Sequence, residues 1–376
     1  MDGRKQIVIV NQDAGYLMID IANAFVSKGY RVTLIAGRVV PRKTSLNQQV
    51  RLEKIIVYNK TTTFRRIATW LIAAIQIYFK IIFRYPKSQL LIVSNPPVAP
   101  LLPLFLRNKF SLLIYDTYPD ALVDMGVLKR NSLIIRCWEK LNFRVFKKAE
   151  KVFTITDGMK ELLSKYVQKS KLEVIPLWAD TELLKPVSRE ENPFLIQHGL
   201  QNKFVVLYSG NIAKSGDADI MVKLAKITED DEIVYLIIGE GVNKPFLESE
   251  IQKHHLANCM LLPWQNTDML PCSLSAASVS VVGLGKDVSR VAMPSKFFSY
   301  LAVGSPVISI AESESDLAKI VETNNVGWNF EDANIDEVLQ FIITLKKNTE
   351  LQDGFRKNSL QTSILFSSDN AYKFIR

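Results

Sequence analysis

The sequence predicts an α/β fold made of two Rossmann-like domains that face each other across a cleft. Length supports two domains, because 376 residues exceed what a single hydrophobic core usually organises. Buried strands alternate with helices from residue 7 onwards, which is typical of a doubly wound sheet. The alternation restarts at residue 204, after a polar stretch at 188–202. We therefore expect domains at residues 1–186 and 187–365, and a final helix at 366–376 that packs back on the first domain.

In the first half, the pattern predicts strands followed by helices or turns. Strands are expected at residues 7–10, 31–37, 90–97 (running into a proline-terminated turn), 111–115 and 151–156, the last of its domain. Helices are expected over about 17–28, 64–84 and 132–150. Two more follow the strands at 90–97 and 151–156 and end at residues 106 and 166. The loop after the first strand lacks the G-x-G-x-x-G fingerprint of dinucleotide-binding domains. With Gln12 and Gly15, this loop either offers backbone amides to a ligand or is a plain turn.

In the second half the same pattern returns. Strands are expected at residues 204–210, 233–239, 260–262, 279–283 and from 306, and helices at 218–226, 244–254 and from 295.

Charge is divided unequally between the two halves. Residues 1–180 carry 29 Lys and Arg against 13 Asp and Glu, a balance of +16, whereas the remaining residues have a balance of −7. A basic half indicates a polyanionic partner, either nucleic acid or an anionic membrane surface. Three scattered cysteines predict reduced thiols in a cytosolic compartment, and the N-terminus shows no signal-peptide pattern.

Residues 64–84 are apolar enough to raise the question of a membrane span. Polar positions 65, 69, 76, 80 and 84 fall on one narrow stripe at helical spacing, and most other positions are apolar. A transmembrane helix needs about 20 apolar residues, and Gln76 and Lys80 interrupt this one. We expect a mostly buried helix with an exposed edge that dips into lipid, and no transmembrane span.

A basic stripe follows on the helix expected at residues 132–150. It consists of Arg136, Lys140, Arg144, Lys147 and Lys151. Such a stripe with apolar residues beside it is typical of membrane-surface contact, and a solvated face is the alternative. Aromatic residues are not interleaved with the stripe as a single-strand nucleic-acid platform requires, so we expect lipid headgroups and no nucleic acid.

Two stretches have the residues of a chemical site. In the first, the loop at residues 292–294 leads into a helix whose expected N-cap is Ser295; the helix-end amides and Lys296 together favour an anion such as a diphosphate. A capped helix with a solvated lysine is the alternative. In the second, Asp116 and Asp120 follow the strand at residues 111–115, where open α/β sheets bind ligands. They are candidates for a base or hydroxyl binder, or for a carboxylate that caps the next helix.

The chain resembles glycosyltransferases of the GT-B fold, family 4-like, of the kind that build bacterial lipid-linked surface polysaccharides. The resemblance covers nearly the whole chain and rests on seven ordered motifs. These are NQDAGY, YDTYPDAL, ITDGMKELL, VIPLWADTELLKP, LYSGNIAKSGD, IIGEG and PSKFFSYLAVGSPVI.

The resemblance implies a role for each motif. It makes Lys214 and Lys296 the basic diphosphate-binding residues, catalytic together with Asp116 and Asp120. It also implies donor binding by Gln12, Gly15, Gly210, Asn211, Gly239, Gly241, Trp264, Gln265, Pro294, Ser295 and Ser299. It further implies a UDP-sugar or GDP-sugar donor, a polyprenyl-diphosphate-linked glycan acceptor, retention of anomeric configuration and no metal cofactor, at the inner face of the cell membrane.

The sequence departs from the family pattern at two acidic positions. Where many members carry paired glutamates, this chain has Val291 and Ser299. A catalytically inert GT-B scaffold that binds a nucleotide sugar or a partner is therefore one alternative. A second is an NADP-dependent oxidoreductase, because Arg38 follows the second strand where a 2′-phosphate would bind.

Overall fold

The computed structural model of the chain describes residues 5–124, 128–213, 218–285, 292–332 and 334–375. These residues divide into two compact units. One comprises Met1–Pro176 with Ser368–Arg376, and the other comprises Leu177–Ser367. The predicted boundary after residue 186 falls inside the second unit. There Trp178 is buried and the amide of Ala179 donates to the carbonyl of Phe366.

The first unit is built on a seven-stranded parallel sheet of order β5-β3-β1-β6-β7-β8-β9, with β2 paired to β4 beside it. Its strands are β1 (Gln6–Val10), β2 (Asp13–Ala14), β3 (Arg31–Ala36), β4 (Arg38–Val39), β5 (Arg51–Lys54), β6 (Gln89–Val93), β7 (Phe110–Ile114), β8 (Val152–Thr154) and β9 (Leu172–Val174). Its helices are α1 (Tyr16–Ser27), α2 (Thr63–Arg84), α3 (Asp120–Asp124), α4 (Leu133–Lys148) and α5 (Asp157–Leu163).

Continuous apolar runs explain the central strands of this sheet. Strands β1, β6 and β7 are buried along nearly their whole length, as expected where helices cover both faces of a parallel sheet. Two strands of the seven-stranded sheet were not predicted from the sequence. The edge strand β5 has the polar sequence RLEK, and β9 has only three residues. The prediction that residues 151–156 form the last strand of this half is therefore wrong, because β9 pairs with β8.

The C-terminal residues belong to the first unit. Ser368–Phe374 forms a 3-10 helix that packs against α1. The ring of Phe374 contacts that of Phe153 at 4.9 Å between centroids, and the hydroxyl of Ser27 hydrogen-bonds to that of Tyr372.

Helix α2 has an orientation that the sequence did not reveal. It is the one helix of the described residues long and apolar enough to cross a bilayer, yet only 28% of its most apolar stretch is buried. The prediction of a mostly buried helix is therefore wrong. Three side chains of the polar stripe bond to the first unit: Lys80 and Arg84 pair with Glu53, and Gln76 accepts a hydrogen bond from the amide of Ile56.

The second unit is built on a six-stranded parallel sheet of order β12-β11-β10-β13-β14-β15. Its strands are β10 (Phe204–Ser209), β11 (Ile233–Ile238), β12 (Cys259–Leu262), β13 (Val279–Gly283), β14 (Val307–Ile310) and β15 (Gly327–Phe330). Its helices are α6 (Pro193–His198), α7 (Asp219–Ile227), α8 (Lys244–Lys253), α9 (Leu270–Ser275), α10 (Ser295–Ala302), α11 (Asp316–Thr323), α12 (Ile335–Lys347) and α13 (Thr349–Ser363). A core of aliphatic and aromatic side chains fills the space between this sheet and its helices.

Candidate functional site

The candidate donor site lies at the carboxyl end of the second sheet. Ligands of open α/β sheets bind there, because the loops that follow parallel strands gather at this edge. The loops after β10 and β11 carry two of the seven motifs, the loop after β12 carries Trp264 and Gln265, and α10 begins close to the end of β10. The hydroxyl of Tyr300 in α10 fixes this arrangement by accepting from the amide of Ser209 at 2.9 Å.

The structure brings together Gly210 and Lys296, which the sequence placed in the same site. A Cβ atom on Gly210 would lie 2.6 Å from both Cε and Nζ of Lys296, so the lysine side chain lies directly against the backbone of Gly210. The Nζ atom of Lys296 also stands 3.7 Å from the centroid of the Tyr208 ring, in a cation–π contact. Contact with an aromatic ring and with backbone holds a positive charge at the end of β10.

Glycines make the neighbouring loops pack backbone against backbone. A Cβ on Gly239 would lie 2.0 Å from the carbonyl oxygen of Gly210. Gly241 has a φ of +158°, and a Cβ there would lie 2.1 Å from the carbonyl oxygen of Ile212. These glycines shape the floor of the site by letting the loops after β10 and β11 touch, which the motif IIGEG alone did not indicate.

The start of α10 differs from the prediction by one position. Ser295 is not the N-cap, because Pro294 occupies that position and Ser295 is the first helical residue. Proline cannot cap with a side chain, and no side-chain hydrogen bond caps this helix. Ser295 is exposed, and Ser299 lies one turn further along α10, partly buried.

The loop after β12 projects an aromatic side chain. Trp264 is 51% exposed, and the side-chain amide of Gln265 donates to the backbone carbonyl of Pro263 at 2.9 Å. Asn211 is exposed, and its carbonyl accepts from the hydroxyl of Tyr208. Lys214 lies outside the described residues.

In the first unit, Asp116 follows β7 at the carboxyl end of the sheet. The residue is exposed, but the protein around its carboxyl group removes enough water to raise its pKa above the ordinary value. Its charge is felt by Tyr58 and Tyr118, whose pKa values are raised first by burial and further by Asp116. A carboxyl group in this setting retains a proton more readily than a solvated aspartate does, which suits a hydroxyl binder or a base.

Asp120 has a different environment, although it lies only four residues away. Its two carboxylate oxygens are each 3.4 Å from a cation, Arg130 on one side and Lys165 on the other. We assign Asp120 to the attachment of α3, and the two predicted acids thus have separate surroundings.

Gln12 is completely buried and acts within the first unit. Its amide nitrogen donates to the carbonyls of Ile56 and Thr69, each at 3.1 Å, so it ties the end of β1 to α2. Gly15 is the N-cap of α1, and a Cβ there would meet nothing within 4 Å. Arg38, the residue that suggested NADP, forms a bidentate pair with Asp13.

A row of aromatic rings beside Asp116 escaped the sequence analysis. Tyr58 stacks on Trp70 of α2, Trp70 meets Tyr118 edge-on, and Tyr118 stacks on Trp138 of α4, with centroid distances of 5.6, 6.4 and 6.3 Å. Four segments contribute these rings, so no local spacing could have signalled them. Flat aromatic faces at the end of a sheet can hold a saccharide or an apolar chain beside the carboxyl group.

The basic stripe is present on α4 with one exception. Arg136, Lys140, Arg144 and Lys147 are all exposed. Lys151 was wrongly placed on the helix, because α4 ends at Lys148 and Lys151 directly precedes β8, donating to the carbonyl of Ser170.

These features define the class of protein: the fold is the GT-B fold of glycosyltransferases. Residues 191–362 match the family described as glycosyl transferases group 1, which confirms the resemblance over the second half of the chain. The solved structure of Alr3699/HepE from Anabaena, in complex with UDP and glucose, has a TM-score of 0.73 and 14% identity. The similarity covers 99% of this chain and 98% of that one, and at this identity it shows the fold.

Two named proteins are similar in sequence. The probable glycosyltransferase WbjE of Pseudomonas aeruginosa is 26% identical over 247 residues, 63% of this chain. The putative colanic acid biosynthesis glycosyl transferase WcaI of Escherichia coli strain K12 is 27% identical over 221 residues, 56% of this chain. The matched regions span 60% and 53% of these two relatives, respectively.

Proposed function

We propose that this protein transfers a sugar from a UDP-sugar, or alternatively a GDP-sugar, to a lipid-linked saccharide in surface glycan biosynthesis. The observation that carries the proposal is the contact between Lys296 and Gly210 at the carboxyl end of the second sheet. It gives a positive charge at the place where this sheet type binds phosphate groups. The relatives support the wider role, since WcaI is named for colanic acid biosynthesis and HepE was solved with UDP.

At the donor end, the chemistry required is stabilisation of a nucleoside diphosphate leaving group. Negative charge grows on the diphosphate as the glycosidic bond to the sugar breaks, and cations with helix-end amides stabilise it. Lys296 provides the cation, and the start of α10 provides the amides. Lys214 is proposed as a second cation, and Trp264 and Gln265 as contacts of the base.

At the acceptor end, Asp116 is proposed to bind the attacking hydroxyl and to receive its proton. Its raised pKa brings the carboxyl group closer to the range in which a base works near neutral pH. Retention by a front-face route needs no protein nucleophile, so the proposal assigns none.

The membrane is proposed as the place of action. Four exposed cations on α4 would contribute roughly 1 kcal/mol each near an anionic leaflet. Replacement of Arg136, Lys140 and Arg144 by Glu should weaken binding to anionic vesicles at low ionic strength, and unchanged vesicle binding would remove this part of the proposal.

Turnover of UDP-sugars with a lipid-linked acceptor tests the transfer itself. Lys296→Ala should lower turnover by about 10²–10³-fold, as loss of one charge-stabilising group does in comparable sites. Lys319→Ala is the matched control, because Lys319 is an exposed lysine elsewhere in the second unit. Near-normal turnover of Lys296→Ala would reject the site, whereas UDP binding with no turnover for any donor would favour the inert scaffold.

A further inference from the structure

Helix α2 exposes far more apolar surface than a helix packed on a sheet in water normally does. Its inner side carries Thr69, Ile77 and Ile81 together with polar groups that bond to the first unit, whereas most of its large apolar side chains face away. The exposed set is Phe64, Ile67, Leu71, Ile72, Ile75, Phe79 and Phe83. Most members recur every three or four residues, so they form one continuous face. Phe64 and Phe83, at the two ends, are 81% and 76% exposed.

The inner face explains why this orientation is stable. Glu53 has a side chain only 6% exposed and is paired with Lys80 at 2.8 Å and with Arg84 at 2.7 Å. Gln12 donates to the carbonyl of Thr69 in the first half of the helix. These contacts run along most of α2 and hold it against the first unit. To cross a bilayer, the helix would have to leave a buried carboxylate without its partners, which is costly.

We infer that the outer face of α2 inserts into the outer part of an anionic lipid leaflet, with the helix axis lying along the membrane surface. The face from Phe64 to Phe83 is about 28 Å long, from 19 steps of about 1.5 Å, and would lie in the boundary between headgroups and acyl chains. This inference extends the proposed action at a membrane, but its test requires no enzymatic activity.

Charge decides between a leaflet and a second copy of the chain as the occupant. The helix sequence contains no Asp or Glu, exposed Arg65 lies in its first turn, and exposed Lys87 lies three residues beyond its end. Two such faces packed together would bring cations close to cations, whereas lipid phosphates would neutralise them.

The neighbouring surface of the first unit has the same character. The 3-10 helix Ala99–Phe105 packs against both α2 and α4, and it presents Phe105 at 69% exposure with Arg107 just beyond. At the start of α4, Leu133 and Ile134 are exposed as well. Apolar groups with cations nearby therefore extend from α2 to the basic stripe.

Vesicle flotation tests the inference with the full-length protein. The vesicles are phosphatidylcholine with about one-third phosphatidylglycerol, enough to carry a negative surface potential. We expect Ile75→Glu and Phe79→Glu each to weaken binding by about tenfold or more, because a charge replaces an apolar side chain in the boundary region. Ile364→Glu, at an exposed apolar position of the second unit, should bind like the wild type. Equal binding of all four proteins would overturn the inference.

Salt separates insertion from simple charge attraction. Binding through the α4 cations is screened at high ionic strength, whereas insertion of α2 is not. We expect residual wild-type binding in about 1 M salt that Ile75→Glu lacks. A wild-type dimer in lipid-free solution that Ile75→Glu converts to monomer would assign the face to a second copy and overturn the inference.

Because misfolding would also make the glutamate variants lose binding, a variant that adds a signal is measured as well. Phe79→Trp keeps an aromatic side chain at a position that is 51% exposed. Its added fluorescence should be quenched by brominated phospholipids in the vesicles, and absence of added quenching would contradict insertion. UDP binding by the second unit is measured on the same proteins. Loss of lipid contact in the glutamate variants with intact UDP binding identifies α2 as the lipid-binding element. Lipid contact without UDP binding would reject only the proposed donor site.

Discussion

A Cβ atom on Gly210 would lie 2.6 Å from the Nζ atom of Lys296, so the lysine side chain fills the space that any other residue at position 210 needs. The two residues are 86 positions apart in the sequence but form one structural element of the candidate donor site. Their contact generates the first prediction.

Gly210→Ala should displace the Lys296 ammonium, because the methyl group meets the flexible end of that side chain and not backbone. We expect UDP affinity to fall about tenfold, the size of one lost charged hydrogen bond. In the double variant with Lys296→Ala, the two losses should not add, since both act through the same cation. Calorimetric titration of UDP into the three variants measures this; additive losses would show that Gly210 acts independently of Lys296.

Gly239→Ala should destabilise the second unit, in contrast to another glycine replacement. A methyl group on Gly239 would lie 2.0 Å from the carbonyl oxygen of Gly210, and backbone cannot move aside cheaply. We expect a loss of about 1–3 kcal/mol in the free energy of unfolding. Gly354→Ala, within α13 where a Cβ meets nothing, should gain about 0.5–1 kcal/mol. Denaturant unfolding compares the two, and similar effects would refute the packing argument.

Glu53→Gln should weaken the attachment of α2 in a pH-dependent way. Burial alone would raise the pKa of Glu53, but hydrogen bonds from Lys80, Tyr85 and Arg84 outweigh burial and lower it to about 2. The ionised carboxylate therefore stabilises the folded state fully above the ordinary pKa of 4.5, and this stabilisation is lost as pH falls through about 2.

Near neutral pH we expect Glu53→Gln to lower stability by about 1–3 kcal/mol, and the difference from wild type to shrink as pH falls below 4.5. Thermal unfolding across this pH range measures the difference. Glu161→Gln is the control, because its pair with Lys169 is solvent-exposed and should contribute little. A difference that is constant with pH would contradict the role of the Glu53 charge.

Asp116→Asn should separate activity from stability. Because the pKa of Asp116 is raised in the folded protein, its ionised form costs stability at pH values above the ordinary pKa of 3.8. We therefore expect the variant to melt at the same temperature or higher near neutral pH, while turnover falls about 10²–10⁴-fold. Asp231→Asn, at an exposed position beside β11, should leave both unchanged. A lower melting temperature for Asp116→Asn would show a structural role instead.

The sequence revealed those parts of the fold and site that depend on local pattern. Gly210 and Lys296 were assigned together because each lies in a motif at the end of a strand or the start of a helix, positions that topology brings to one edge. The apolar runs of β1 and β10 likewise predict buried strands.

Features that depend on distant partners could not be predicted. Helical spacing identified the polar stripe of α2, but its direction depends on Glu53, which comes earlier in the chain on an edge strand with a polar sequence. The aromatic row from Tyr58 to Trp138 draws on separate segments and shows no periodicity. Residue preference favours serine and so predicts Ser295 as the N-cap, whereas the backbone geometry places Pro294 at that position.

Lys296 is proposed to form part of a nucleoside diphosphate site, and a ligand-binding screen tests this assignment most directly. Thermal unfolding is measured without added metal in UDP, GDP, ADP, CMP and NADP, for wild type, Lys296→Ala and Lys319→Ala. A ligand at 100 times its Kd stabilises by about 2.7 kcal/mol, which is readily detected. We predict stabilisation by UDP or GDP in wild type and Lys319→Ala that is largely lost in Lys296→Ala. Equal stabilisation in all three proteins, or stabilisation by NADP alone, would contradict the account.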